Sequence, residues 1–159
     1  HGLGRWERSW LEYAAMLHDI GYLINPRQHH KHGYYLIKHS DLGGLTADEI
    51  DVVANVARYH RRALPAPKHQ EFERLAPRLK RVVKILSALL RIADGLDRTH
   101  FSVVQTVNVK PGKTMTIEAT VSGDAEMELW AAKNRADLFE QVFRKRVRFT
   151  EVLQEAGQS

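Results

Sequence analysis

Histidine and aspartate side chains, which can bind metal ions, recur along the first part of the sequence. His18 and Asp19 are adjacent at the end of an apolar helical run and just before a glycine, so an imidazole stands beside a carboxylate. His32, His60 and Asp94 follow on three further segments. Imidazoles and carboxylates suit Mn, Mg, Fe or Zn and need no thiolate, which this cysteine-free chain lacks. The pattern predicts a divalent metal site with His18, Asp19, His32, His60 and Asp94 as its ligands: one ion at His18, Asp19 and Asp94, with His32 and His60 as the place for a second ion.

A divalent ion at such a site can polarise a phosphoryl group or generate a hydroxide nucleophile. Asp19 and Asp94 are therefore the candidate catalytic residues. Each candidate also has a structural interpretation: a buried histidine can be a hydrogen-bonded core residue or can cap a helix C-terminus, and Asp97 competes with Asp94. The other histidines are predicted to be surface or loop residues: His29, His30, His39, His69 and His100.

Basic residues flank each of these segments. A guanidinium group matches phosphate oxygens bidentately, so arginines beside a metal ion would fit a phosphorylated substrate. For Arg98 the alternative is a helical ion pair with Asp94, four residues earlier. The predicted substrate contacts are Arg27, Lys31, Arg58, Arg61, Arg62, Arg91 and Arg98.

Helices must position these side chains, and the spacing of apolar residues predicts where they lie. Trp6, Trp10, Tyr13, Ala14 and Leu17 recur at steps of three and four, which is typical of an amphipathic helix. We predict a first helix from Arg5 to Ile20, with Gly21 as its cap, and a second from His32 onwards. A third helix should start at the capping box of Thr46 and Glu49. A short helix over 69–75 and a long one from Pro77 to Leu96 follow.

After His100 the pattern changes from helical periodicity to alternation. Two alternating runs flank Pro111 and Gly112, which predicts a β-hairpin. A helix over 125–143 and a last strand around Val147 and Phe149 follow. We therefore expect a mainly α protein, with a helical bundle over residues 1–100 and a small α/β appendage over residues 101–159.

Composition limits the classes of protein to consider. The chain has 159 residues, of which 43% are hydrophobic, and this is enough for an ordinary core. It contains no apolar run of ~18 residues and no signal-peptide layout, so we expect a soluble protein without a membrane partner. The lack of cysteine favours the cytoplasm. The net charge of +5 favours an acidic partner such as phosphate, nucleic acid or polyphosphate, or serves solubility alone. Residues 1–5 are interpreted as part of a linker in a longer protein.

Two motifs resemble a known superfamily. The segments AAMLHDIG and ADGLD resemble the signatures of the HD superfamily of metal-dependent phosphohydrolases, and the resemblance maps that superfamily's later aspartate onto Asp94. Its pattern also has a histidine well before the HD pair, whereas His1 is the only histidine upstream here. Three longer segments resemble the C-terminal region of the exopolyphosphatase/guanosine pentaphosphate phosphatase family: HDIGYLINPRQHHKHGYYLIKHSDLGG, ARYHRRALP and ELWAAKNRADLFEQVF.

The resemblance implies an HD-like helical bundle from a longer chain. In that family an actin-like N-terminal half holds the exopolyphosphatase active site, and the helical half helps to bind polyphosphate and forms the homodimer. We therefore expect a phosphate-recognising HD domain that hydrolyses phosphoanhydride or phosphoester bonds with a divalent metal. The alternative is a non-catalytic module that binds polyphosphate or a phosphorylated nucleotide and dimerises.

Overall fold

The structure, a computed structural model, describes residues 2–153. His1, which the sequence analysis considered as an upstream histidine, lies outside the described residues. The chain divides into two compact units between Leu90 and Arg91, within one long helix. The predicted domain boundary at residue 100 stays a prediction, although the helical part does give way to strands there.

Helix α1 spans Arg5–Leu17, and Glu7 caps its start. The Glu7 carboxylate accepts from the Gly4 N–H at 2.9 Å and from Arg78 at 3.0 Å. The prediction that α1 continues to Ile20 is wrong, since a short 3-10 turn, Ile20–Leu23, replaces its last turn. Trp6 was expected on the apolar face with Trp10, but it is 66% exposed. Fewer apolar residues of α1 are buried than the sequence pattern predicts.

Helices α2 and α3 pack against this start of the chain. Helix α2 spans His29–Lys38 and α3 spans Ala47–Arg58. The predicted capping box at the start of α3 is confirmed: the Thr46 N–H donates to Glu49 at 2.7 Å, and the Glu49 N–H donates to the Thr46 hydroxyl at 3.4 Å. The middle of α3 is fully buried, which makes it the central helix of the N-terminal unit.

A short helix and a long one complete the helical part. Helix α4 spans Gln70–Glu73, and α5 spans Pro77–Leu96, close to the predicted positions. The first part of α5 closes the core of the N-terminal unit. That core consists of buried residues from α1 to α5 and includes Trp10, Ala14, Ile37, Val52, Val53, Val56, Phe72, Val83, Leu86 and Leu90.

The C-terminal unit contains a sheet of order β1-β2-β3. Strands β1, Val104–Lys110, and β2, Thr114–Val121, form the predicted antiparallel hairpin. Strand β3, Arg146–Leu153, is parallel to β2. Two helices connect β2 to β3 where one was predicted: α6, Glu126–Asn134, and α7, Asp137–Phe143. A helix-containing crossover is what a parallel strand pair requires.

The predicted fold class, mainly α with a small α/β part, is confirmed. Among the described helices, none combines the length and the apolar character that a membrane span needs.

Candidate metal centre

Asp19 lies in the turn between α1 and the 3-10 turn. His18 ends α1, and Asp19 directly precedes Ile20. Gly21 is buried against the first turn of α2, and a Cβ on it would lie 1.9 Å from the His29 carbonyl oxygen. Gly21 was predicted as a helix cap; its place is instead a close approach between two backbones. This approach holds the Asp19 turn against the start of α2.

Three side chains converge at this point. Asp19, His29 and His60 each offer one ligand atom, and these atoms lie within 4.8 Å of one another. Asp19 Oδ1 is 3.2 Å from His29 Nε2 and 3.7 Å from His60 Nε2, and the two nitrogens are 3.3 Å apart. His18 lies at the side of the group, with its Nε2 3.4 Å from Asp19 Oδ2. The ends of α1 and α3 and the start of α2 thus supply one cluster.

Backbone carbonyls orient the three imidazole rings. Each Nδ1 lies near the carbonyl oxygen three residues earlier: Ala15 at 2.7 Å for His18, Pro26 at 3.2 Å for His29 and Ala57 at 2.5 Å for His60. A carbonyl oxygen only accepts, so each Nδ1 carries a proton and donates it. In the neutral rings, Nε2 then presents its lone pair on the side of Asp19. Metal-binding histidines are oriented in this way.

Burial favours the neutral form of His29. Its side chain is 3% exposed. Its pKa is lowered from the usual 6.5, first by burial and further by the Arg61 cation, while the Pro26 carbonyl and the Asp19 carboxylate oppose the shift. The exposed Tyr22 ring stacks on the imidazole with centroids 3.9 Å apart and holds it in place.

The cluster fits a divalent ion. Two Nε2 atoms 3.3 Å apart, with a carboxylate oxygen beside them, repel one another when both rings present lone pairs, and a divalent ion or a proton on one Nε2 would relieve that repulsion. Two imidazole nitrogens and one carboxylate oxygen are a donor set that Zn, Mn or Fe accepts. Residues 2–153 hold no other group of three or more such side chains.

The structure brings His29 into the cluster where the sequence analysis placed His32. Helix α2 begins three residues earlier than predicted, and His32 is partly exposed and belongs to no cluster of the described residues. The prediction that His29 and His30 are surface residues is wrong, because they are only 2% and 7% exposed. The signal for His29 was present: His29, Gly33 and Ile37 recur every four residues and form one buried stripe of α2.

The remaining histidines differ in their surroundings. Burial lowers the pKa of His30 to about 4, helped by the nearby His29 and Arg62. His39 and His100 are exposed, as predicted. His69 is partly buried, with its Nδ1 2.9 Å from the Tyr59 hydroxyl.

The two candidate acids of α5 lie in the C-terminal unit. Asp94 forms an ion pair with Arg135, a partner that the sequence did not indicate. Its competitor Asp97 is exposed and lies 3.4 Å from His100. The metal-binding and catalytic role of Asp94 stays a prediction.

The predicted substrate contacts of the N-terminal unit fall into two kinds. Arg27, Lys31 and Arg62 are exposed, and Arg61 Nη1 lies 3.5 Å from His29 Nε2. Arg58 is 13% exposed and contacts structural partners: its guanidinium is 3.4 Å from Glu71 and lies over the rings of Tyr34 and Tyr59. These contacts anchor Arg58 within the fold.

The two predicted substrate contacts of the C-terminal unit, Arg91 and Arg98, differ in their exposure. The Arg91 side chain is 5% exposed and donates to Asp137 at 3.3 Å. Arg98 is exposed, and both its predicted substrate contact and the alternative ion pair with Asp94 stay predictions.

The fold and the cluster together define a helical domain with a candidate metal centre at its helix ends. Residues 3–141 match the family model described as Ppx/GppA phosphatase, domain III. The chain therefore belongs to the Ppx/GppA phosphatase family, which confirms the family that the motifs predicted.

Two curated relatives are similar over shorter segments. A guanosine-5'-triphosphate,3'-diphosphate pyrophosphatase of Pseudoalteromonas translucida (strain TAC 125) is 41% identical over 51 residues, which is 32% of this chain and 10% of the relative. A protein of the same name from Pseudoalteromonas atlantica (strain T6c / ATCC BAA-1087) is 31% identical over 93 residues, which is 55% of this chain and 18% of the relative. The matches thus span less than a fifth of either relative.

Proposed function

We propose that the N-terminal unit binds one divalent metal ion through Asp19, His29 and His60, with His18 beside it. The observation that carries this proposal is the convergence of a carboxylate and two imidazoles within 4.8 Å, in rings whose Nδ1 atoms are already bonded to backbone carbonyls. Asp19 is the central residue of the cluster, since it lies near all three imidazoles.

The reaction that we propose is hydrolysis of a phosphoanhydride or phosphoester bond. A bound divalent ion would act as a Lewis acid on a phosphoryl oxygen. Arg61, beside His29, would bind the substrate's phosphate oxygens, and the exposed Arg27, Lys31 and Arg62 would attract the anion. The names of the curated relatives support a phosphorylated nucleotide as substrate, and the family supports a phosphatase.

Metal binding is tested with matched histidine variants. After dialysis against Zn²⁺ or Mn²⁺ in separate experiments, the metal content per chain is measured by mass spectrometry. We expect about one ion per chain in the wild type and in His32→Ala, and a loss of the ion in Asp19→Ala and His29→Ala. Circular dichroism of each variant shows whether it is folded. A wild type without metal, or unchanged occupancy in folded Asp19→Ala, would overturn the proposal.

The alternative is a non-catalytic module that binds polyphosphate or a nucleotide for a larger exopolyphosphatase. The net charge of +5 and the exposed cations Arg27, Lys31 and Arg62 favour it. Phosphate release separates the two functions: the metal-loaded wild type should hydrolyse polyphosphate or a guanosine polyphosphate, and Asp19→Asn should not. Binding without turnover in the wild type would favour the module.

The parent chain, the cellular location and the oligomeric state are proposed as well. The family model is that of a third domain, so we propose a longer parent chain with an actin-like N-terminal part. We also propose a cytoplasmic location and a homodimer.

A further inference from the structure

Tyr22 covers one ring of the metal cluster and leaves its own outer face open. It lies on the 3-10 turn shortly after Asp19, and its ring stacks on the His29 imidazole with centroids 3.9 Å apart and planes inclined by 21°. Tyr22 is nevertheless 46% exposed. Among residues 2–153, no second aromatic ring packs on it. The face of the ring that points away from His29 is therefore available to a ligand.

Two further exposed apolar residues adjoin Tyr22. Leu23 is 83% exposed and Ile24 is 51% exposed, and both follow Tyr22 directly in the chain. Single exposed apolar residues are common, but large ones in succession beside a polar site are typical of a binding surface. Residues 22–24 thus form an apolar ledge next to the metal cluster.

Cationic groups surround this ledge. Arg61 Nη1 lies 3.5 Å from His29 Nε2, and Arg27 and Lys31 are exposed on the segment that follows the ledge. The acidic group of the cluster, Asp19, is engaged by the imidazoles. A ligand that matches all of these groups has an anionic part for the cations and a flat, neutral part for the open tyrosine ring.

The dimensions match a nucleoside phosphate. A base stacked on the open face of Tyr22 would have its centre about 4–5 Å from the tyrosine ring, and so about 8 Å from the His29 imidazole on the other side. The ribose between a base and its first phosphate bridges a gap of this order. Inorganic polyphosphate has no flat ring, so it would leave the ledge uncovered.

We propose that Tyr22 is the base-binding residue of this site and that the ligand is a purine nucleoside polyphosphate. Its base lies on the open face of Tyr22, and its phosphates lie at Arg61 and the cluster. This inference rests on the proposed function, which places the phosphates there. A purine offers a larger ring surface than a pyrimidine, and stacking on an aromatic side chain strengthens binding about tenfold or more.

Calorimetric titration with GTP and with tripolyphosphate separates the base from the phosphates. Both ligands are titrated in excess Mn²⁺, so that both bind as metal complexes. The wild type should bind GTP about tenfold or more tightly than tripolyphosphate, although tripolyphosphate carries more charge. Tyr22→Leu should remove this difference by weakening the binding of GTP alone. Tyr22→Phe, which keeps the ring, should preserve it.

Tyr35→Leu is the matched control. Tyr35 is 60% exposed on α2, and its ring lies beside His39 at the other end of that helix, so both dissociation constants should equal those of the wild type. Circular dichroism checks that each variant is folded.

A purely structural role of Tyr22 gives a different result. If Tyr22 only supports His29, Tyr22→Leu weakens the binding of both ligands equally, and this outcome overturns the proposal. So does a wild type that binds the two ligands equally or binds neither. A preference for GTP that depends on Tyr22, in a chain that holds no metal or releases no phosphate, would support the role of Tyr22 and contradict the proposed function instead.

Discussion

At the scale of single residues, the histidines of the cluster use backbone groups that helix ends leave available. The last carbonyls of an α-helix have no intrahelical donor. His18 donates to Ala15 at the end of α1, and His60 donates to Ala57 at the end of α3. The same bond satisfies the helix end and fixes the ring nitrogen that faces Asp19. The position of each histidine at its helix end therefore determines which ring nitrogen is protonated and which faces Asp19.

Tyr59 gives a residue-scale prediction for alkaline pH. Its side chain is 1% exposed, and burial raises its pKa from 10.0 to about 12. Between these values the unfolded chain releases the phenolic proton and the folded chain keeps it, so the free energy of unfolding falls as pH rises through this range. The loss from this group should reach about 2 kcal/mol.

Urea unfolding of the wild type and Tyr59→Phe over that pH range measures this effect. The slope of the free energy of unfolding against pH should be smaller in the variant. Equal slopes in the two proteins would contradict the prediction.

At the scale of elements, two glycines fix how the 3-10 turn meets α2. Gly33 of α2 faces this turn, and a Cβ on Gly21 would lie 2.5 Å from the Gly33 nitrogen and 1.9 Å from the His29 carbonyl oxygen. Both obstacles are backbone atoms, which cannot rotate away as a side chain can. The turn that carries Asp19 reaches His29 only because Gly21 has no side chain.

Gly21→Ala should therefore separate the turn from α2. We expect a loss of about 3 kcal/mol or more in the free energy of unfolding, because either the backbone moves or the methyl group overlaps it. The variant should also bind metal more weakly, since Asp19 and His29 move apart. Urea unfolding and metal dialysis measure the two effects.

Gly43→Ala is the matched control. A Cβ there has no neighbour within 4 Å, so this substitution should leave the free energy of unfolding nearly unchanged. Equal stability of Gly21→Ala and the wild type would disprove the close approach.

At the scale of the whole molecule, the positive net charge favours electrostatic attraction between the chain and a polyanion. Lys and Arg outnumber Asp and Glu by 24 to 19. Several of these cations are held by acidic partners, as Arg91 is by Asp137 and Arg135 by Asp94. Under the proposed function, exposed cations such as Arg27 and Lys31 would contribute most of the attraction between the surface and phosphate.

Polyphosphate binding should therefore weaken steeply with salt. By analogy with other polyanions, a few phosphate contacts predict a loss of about tenfold or more in affinity between about 50 and 200 mM salt. Fluorescence titration with labelled polyphosphate measures the affinity. Arg27→Gln combined with Lys31→Gln should flatten the salt dependence, whereas Lys113→Gln in the β1–β2 turn should not. An affinity independent of salt would exclude polyphosphate as an electrostatic ligand.

The sequence predicted most elements because their signals are local. The capping box at Thr46, the proline at the start of α5 and the turn at Pro111 each act within a few residues, and the structure has an element boundary at each. The end of α1 and the start of α2 were missed, because a contact between two elements fixes the positions of Gly21 and His29.

The sequence by itself determined the helical class and the family and indicated Asp19 as a candidate ligand, since periodicity and short motifs are readable along the chain. Only the tertiary structure decided which histidines join Asp19. His29 and His32 carry the same imidazole group, but His29 is buried against the Asp19 turn and His32 is partly exposed. The stripe of His29, Gly33 and Ile37 marks the buried side of α2, but only the contact of Gly21 with α2 shows that the Asp19 turn packs there.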